Sequence, residues 1–140
     1  MTAFVFVSSS ADITGHIARA RGDRTLPITV IVADGLGDRD VDGMTVIDLG
    51  TIDRSAFARL LDRSVVTRTL VRLSPADGGV VMRRRVRRSP AATRALRDGD
   101  VLVACERDAV LAVWSVARRR GKQVLGLFGI AAGLAELRRH

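Results

Sequence analysis

The chain has 140 residues, 47% of them apolar, one cysteine and a formal net charge of +8. That length suits a single domain, expected over residues 1–140, with a core that needs no metal or disulfide, and a lone cysteine excludes a disulfide within the chain. The longest uncharged stretch, Gln123 to Ala135, falls well short of the roughly 20 residues of a membrane-spanning helix, and Met1 to Asp12 lacks the basic start of an export signal, so a cytoplasmic protein is expected.

Ala3 to Val7 is a short apolar run read as the first strand. Ser8, Ser9, Ser10 and Asp12 offer four candidate caps for a helix that carries Ile13, Ile17, Ala18 and Arg21 at helical spacing, with Gly22 and Asp23 ending it. Pro27 opens the second apolar run, Ile28 to Ala33. The Asp- and Gly-rich stretch from Asp34 to Gly43 reads as a loop, and Met44 to Leu49 as a third strand. Phe57, Leu60, Leu61 and Val65 then recur as on a helix, and Val65 to Leu73 fits either helix or strand.

After the turn Ser74 to Gly79, residues 79–88 admit a β-hairpin or a helix. The helix is favoured, because Val81 or Met82 pairs with Val86 at helical spacing and five Arg would crowd one strand. Ser89-Pro90 reads as cap and first turn of a helix over Ala91 to Arg97, ended by Asp98-Gly99. Asp100 to Gly129 then reads as a βαβ unit. Val101 to Val103 form a strand, Ala109, Val110, Val113, Trp114 and Ala117 mark a helix, Arg118 to Arg120 suit its carbonyl end, and Gly121 stops it. Gln123 to Phe128 is expected as the next buried strand. Ile130, Leu134 and Leu137 share one face of a last helix that docks on the body or on a partner, a second copy being one possibility.

The strands are uniformly apolar, as in parallel sheets covered on both faces. The expectation is therefore an α/β, three-layer Rossmann-like domain with an open, mainly parallel five-stranded sheet. Ligands of such sheets sit beyond the carboxyl ends of the strands, where the strand order reverses, which directs attention to Ser8–His16, Ala33–Asp38 and Cys105–Asp108.

The phrase Gly99-Asp100-Val101-Leu102-Val103-Ala104-Cys105-Glu106-Arg107-Asp108, an apolar helix, and Ala117-Arg118-Arg119-Arg120-Gly121-Lys122 resembles the N-terminal, acceptor-side half of GT-B fold glycosyltransferases of the family 4 retaining type. The first strand, its Ser-rich turn and Gly15-His16 are compatible with the same family. Paired glycines are usual in the family's first loop, where this chain has Ser8 to Ser10, and Cys105-Glu106 stand where a His is usual. The domain that binds the nucleotide sugar, with its paired-glutamate motif, has no counterpart here. The resemblance thus implies either an acceptor-side domain acting with a partner chain that carries a nucleotide-sugar domain, or a non-catalytic relative, and in neither case catalysis by this chain alone.

Candidate ligand-binding residues are Ser9, Ser10, Gly15, His16, Glu106, Arg107 and Asp108. A serine turn opening a helix suits an anion, and equally plain capping. His16 reads as a general base only beside a substrate and an orienting acid, and otherwise as a solvent-side helical residue. Asp108 reads as a helix cap, and Cys105 as a small buried hydrophobe. With no G-x-G-x-x-G, no metal-ligand spacing and no Ser-His-Asp order, no cofactor or metal is expected and no catalytic residue is assigned.

Of the 23 basic residues only Lys122 is Lys, and Asn and Tyr are absent, the residue usage of a high-GC genome. The span Arg54 to Arg97 holds twelve Arg against Asp62 and Asp77, a local +10 that leaves −2 for the remainder. Within it Arg83, Arg84, Arg85, Arg87 and Arg88 are candidates for an anionic partner: a phosphorylated ligand, nucleic acid or an anionic membrane surface to which the protein would be peripheral. Nucleic acid is not favoured, because nearly all of the chain's aromatics, Phe4, Phe6, Phe57, Phe128 and Trp114, fall in expected core elements and provide no stacking platform. The remaining alternative is a structural or oligomer-forming domain.

Overall fold

A computed structural model of the chain describes residues 1–51 and 77–140. In chain order these form β1 (Phe4–Val7), α1 (Ile13–Arg21), β2 (Ile28–Val32), β3 (Arg39–Val41), β4 (Met44–Asp48), α2 (Gly78–Arg88), α3 (Pro90–Asp98), β5 (Val101–Ala104), α4 (Arg107–Arg120), β6 (Leu125–Phe128) and α5 (Ile130–Arg139). The expected helix at Phe57 to Val65, its continuation to Leu73 and the turn residues Ser74 to Ala76 lie outside the described residues.

The strands make one sheet in the order β3-β4-β2-β1-β5-β6. All neighbours are parallel except β3 with β4. β1 is central: Phe4 pairs with Ile28 on one side and with Val101 on the other, and Val7 with Ile31 and Ala104. The chain builds outward from β1 through β2 to β4, then returns to β1's other flank with β5 and β6, so the strand order reverses between β1 and β5.

Uniformly apolar strands are needed because both sheet faces are covered. Val5, Val7, Ile31, Leu102 and Ala104 point to the layer of α2, α3 and α4, meeting Met82, Val86, Leu96 and Ala112. The alternate residues Phe4, Phe6, Val30, Val101 and Val103 point to α1 and α5, meeting Ile13, Ile17 and Leu137. Ile130 and Leu134 also pack on this second cluster, so the apolar face of α5 is spent on the chain's own sheet. The guanidinium of Arg24 donates to the carbonyls of Leu137 and Arg138 (3.3 and 3.1 Å), satisfying the otherwise open end of α5.

Residues 79–88 are helical, with Met82 and Val86 buried and the Asp77 side chain accepting from Gly79 N–H (2.9 Å). Ser89 ends α2 and caps α3, accepting from Ala92 N–H at 3.2 Å with Pro90 in the first turn. Gly121 ends α4 at φ 58°, as its position after three arginines indicated.

Two expectations need correction. The described residues hold six strands where five were expected, because part of the Asp34–Gly43 stretch folds back on β4 as β3. Asp42 and Gly43, both at positive φ (50° and 70°), form the two-residue turn. The strand expected from Gln123 is also shorter and less covered: residues 121–123 form a 3-10 turn, and β6 is an edge strand with Leu125 43% and Phe128 65% exposed. Its apolar composition imitates a buried strand because Leu127 still packs on the cluster beneath α1 and α5, while on the other face Gly126 lies against Ala117 of α4.

Candidate functional site

The reversal in strand order brings together two loops far apart in sequence. Ser8 N–H donates to Ile31 O and Cys105 N–H to Val7 O, both at 2.9 Å, and Gly129 N–H donates to Ala104 O at 2.8 Å. The loops after β1, β5 and β6 thus share one rim at the carboxyl ends of the strands. Across it Ser9 N–H donates to the Glu106 carboxylate in a short hydrogen bond that spans 97 residues of sequence.

The serine turn is ordered from within. Ser8 is buried and its hydroxyl accepts from Ser10 N–H, while the Ser10 hydroxyl accepts from Asp12 N–H, each at 3.2 Å. No side chain caps α1: Asp12 occupies the cap position without a side-chain hydrogen bond. The serine hydroxyls instead stabilise the turn that precedes the helix, so the capping role expected of them moves one turn upstream.

A second loop on the same rim repeats the arrangement. Asp48, at the end of β4, accepts from the N–H groups of Gly35 (3.2 Å), Gly37 (2.7 Å) and Gly50 (2.9 Å). Burial pushes its carboxyl up, but these three donors outweigh it and hold it below the ordinary 3.8. Beside it Asp34 pairs with Arg39 at 2.6 Å and is also held below 3.8, chiefly by that guanidinium, with burial opposing.

Both sets of rim amides, at Ser9 and at Gly35, Gly37 and Gly50, are therefore already bonded to the chain's own carboxylates. Backbone clusters of this kind bind phosphate in other sheets of this class. Here a phosphate at Ser9 would approach Glu106 with like charge, and at about 4 Å that costs about 1–4 kcal/mol, according to how far water screens the pair. The anion reading of the serine turn is weakened by that cost, whereas a hydroxyl group meets a carboxylate acceptor and serine hydroxyls together.

The other candidates are dispersed. Gly15 and His16 are exposed on α1, with the Arg19 guanidinium 3.2 Å from the imidazole Nδ1 and, among the described residues, no acid hydrogen-bonded to the ring. Arg107 is exposed and pairs at 3.6 Å with the half-buried Asp77 at the start of α2, a long, part-exposed pair worth little stability. Asp108 is not the cap of α4; Glu106 holds that position and Asp108 lies in the first turn. Its carboxylate instead lies against Gly78 at the start of α2, in space that any side chain at residue 78 would need. Cys105 is half-buried and its thiol is pushed up to about 12, first by burial and then by the charge of Glu106, so it is a poor nucleophile.

The arginine block is divided by the helix. Arg85 turns inward and donates to Leu49 O at 2.9 Å, tying α2 to the strand layer, whereas Arg84, Arg87 and Arg88 are exposed and Arg83 is half-exposed. Among the described residues no group of three or more His, Cys, Asp or Glu is placed to hold a metal ion, and no helix is long and apolar enough to cross a membrane. A helix starting near Asp77 was one of the two readings of the turn Ser74 to Gly79, and Asp77 is its cap; Asp48 was not singled out from sequence, although an Asp closing the apolar run of β4 two residues before Gly50 was the available signal.

No family model, curated protein or solved structure matches this chain.

Proposed function

We propose that this chain holds a hydroxyl-rich, uncharged acceptor of the carbohydrate class at its carboxyl rim, as the acceptor-side half of a glycosyl transfer whose sugar-nucleotide half belongs to a partner chain. The observation that carries the reading is the Glu106 carboxylate bonded to Ser9 N–H at the reversal in strand order. This bond removes the donor that a phosphate would seek and leaves a carboxylate whose remaining lone pairs suit sugar hydroxyls.

The surrounding charge supports the same choice. Between Asp34 and Asp48 there are five Asp against Arg39 alone, a local −4 that disfavours phosphorylated ligands at this edge of the sheet. The reading takes its transfer chemistry from the resemblance over Asp100 to Gly129 and assigns no catalytic residue in this chain. Glu106, Ser9 and Ser10 bind and orient the acceptor hydroxyls.

A printed array of neutral and phosphorylated glycans, probed with labelled wild type and Glu106→Ala, tests this. The expected result is retention of the wild type on a subset of neutral glycans, lost in the variant. Preference for the phosphorylated spots, or retention on none, contradicts it.

A further inference from the structure

A second surface, remote from the rim, carries chemistry that the acceptor reading leaves unused. Between α2 and α4 lies a groove enclosing about 140 Å³. Its floor is apolar, made by Val86, Leu96, Ala112 and Val116. The hydroxyls of Thr93 and Ser115, also at its wall, are turned to backbone, donating to Val86 O and Ala112 O at 2.9 Å each. The space is close to the roughly 150 Å³ cavity known to accept benzene, so it suits one branched or aromatic side chain and is too small for an acyl chain or a nucleoside.

The rim of this groove carries guanidiniums. Arg83 and Arg87 stand one turn apart on α2, with Arg119 opposite them on α4. Among the described residues no carboxylate is paired with any of the three, and Arg84 and Arg88 extend the positive field along the exposed side of α2. Three cations around an apolar slot exceed what one small carboxylate uses, and they match a chain of acidic residues interrupted by an apolar one.

We infer that the α2–α4 groove is a docking site for an acidic protein segment that seats one apolar side chain against Val116 and the aliphatic stems of the rim arginines, over a floor closed by the buried Val86, Leu96 and Ala112, with flanking carboxylates on Arg83, Arg87 and Arg119. Charge complementarity selects the partner and steers its approach, while the slot fixes the register. Nucleic acid fits less well: the exposed aromatic on α4, Trp114, has the Arg118 guanidinium over one face of its ring at 5.1 Å.

The test uses fluorescence anisotropy with two labelled decapeptides of glutamate, one with a central leucine and one with serine there, and an unlabelled 20-base-pair duplex as competitor. The leucine peptide is expected to bind wild type about tenfold more tightly than the serine peptide, from burial of one side chain. Arg83→Gln with Arg87→Gln, both at the surface, should weaken both peptides several-fold. Ser115→Leu, which fills the slot without changing charge, should abolish the leucine preference alone; should that variant not fold, the two peptides on wild type decide. Equal binding of the two peptides overturns the proposal, as does displacement of the leucine peptide by duplex at lower concentration than by unlabelled peptide. Glu106→Ala should leave peptide binding unchanged, separating this site from the rim.

Discussion

One chemical change made at two helical glycines should move stability in opposite directions. Ala is favoured over Gly inside a helix by up to about 1 kcal/mol. At Gly15, on the exposed side of α1, an added Cβ meets nothing within 4 Å, so Gly15→Ala should stabilise by about 0.5 kcal/mol, the low end because the site is in the first turn. At Gly133, on α5, the same Cβ would lie 2.7 and 2.9 Å from the two Val103 methyls and 2.8 Å from the Phe6 ring. Both neighbours are fully buried and flanked by Phe4 and Leu137, which are also fully buried, so the helix or the sheet must shift. Overpacking of this kind costs about 1–3 kcal/mol; three contacts this close belong at the upper end, and subtracting the propensity gain leaves a net loss of about 2 kcal/mol. For a chain of this size that is a drop in Tm of roughly 6–10 °C, against a rise of about 2 °C for Gly15→Ala. Thermal melts followed by circular dichroism, with urea midpoints as a check, measure both. A higher Tm for Gly133→Ala would refute the close seating of α5 on Val103 and Phe6.

Three further outcomes follow from the same contacts. Because Asp34 and Asp48 are held below their ordinary 3.8, their stabilising contribution is fully present above roughly pH 4 and is lost as pH falls through the lowered folded values. In urea titrations the deficit of Asp48→Asn should therefore be constant from pH 7 to 5 and shrink below 4; a deficit independent of pH down to 2.5 would contradict the bonding of Gly35, Gly37 and Gly50. With its thiol near 12, Cys105 should react with iodoacetamide at pH 8 roughly three orders of magnitude more slowly in the folded protein than in urea, and equal rates would count against its burial. Leu96→Ala, at a fully buried position between α3 and the sheet, should cost about 2–5 kcal/mol in urea unfolding, whereas a loss below 1 kcal/mol would mean that α3 is not part of the core.

What was legible in the sequence was local. Asp100 to Gly129 declares strand, helix and stop through an unbroken branched run, three arginines and Gly121, and each feature recurs in the structure. Ser89-Pro90 likewise announces a cap by its own chemistry. The failures came where a neighbour decides. Asp42-Gly43 is a strong hairpin signal, but its flanking runs are too polar to read as strands until Arg39, Asp40 and Val41 are seen paired with Val46, Thr45 and Met44. The exposure of β6 depends on its edge position, which composition does not record. Ser9 and Glu106 were both candidates, yet their bond joins residues 97 apart, and only the sheet order makes them neighbours. The groove between α2 and α4 was hidden for the same reason: Arg83 and Arg87 stood in the block under suspicion, while Arg119 belonged to a run explained by the helix terminus.

The central claim is that the rim amides are committed to the chain's own carboxylates and so turn phosphate away. Titration of ¹⁵N-labelled wild type and Glu106→Ala with inorganic phosphate, followed at the Ser9 amide, tests it most directly. The account predicts a Ser9 resonance that stays in place in wild type and moves with phosphate in the variant, where the donor is freed. A Ser9 amide that moves with phosphate equally in both proteins would contradict it.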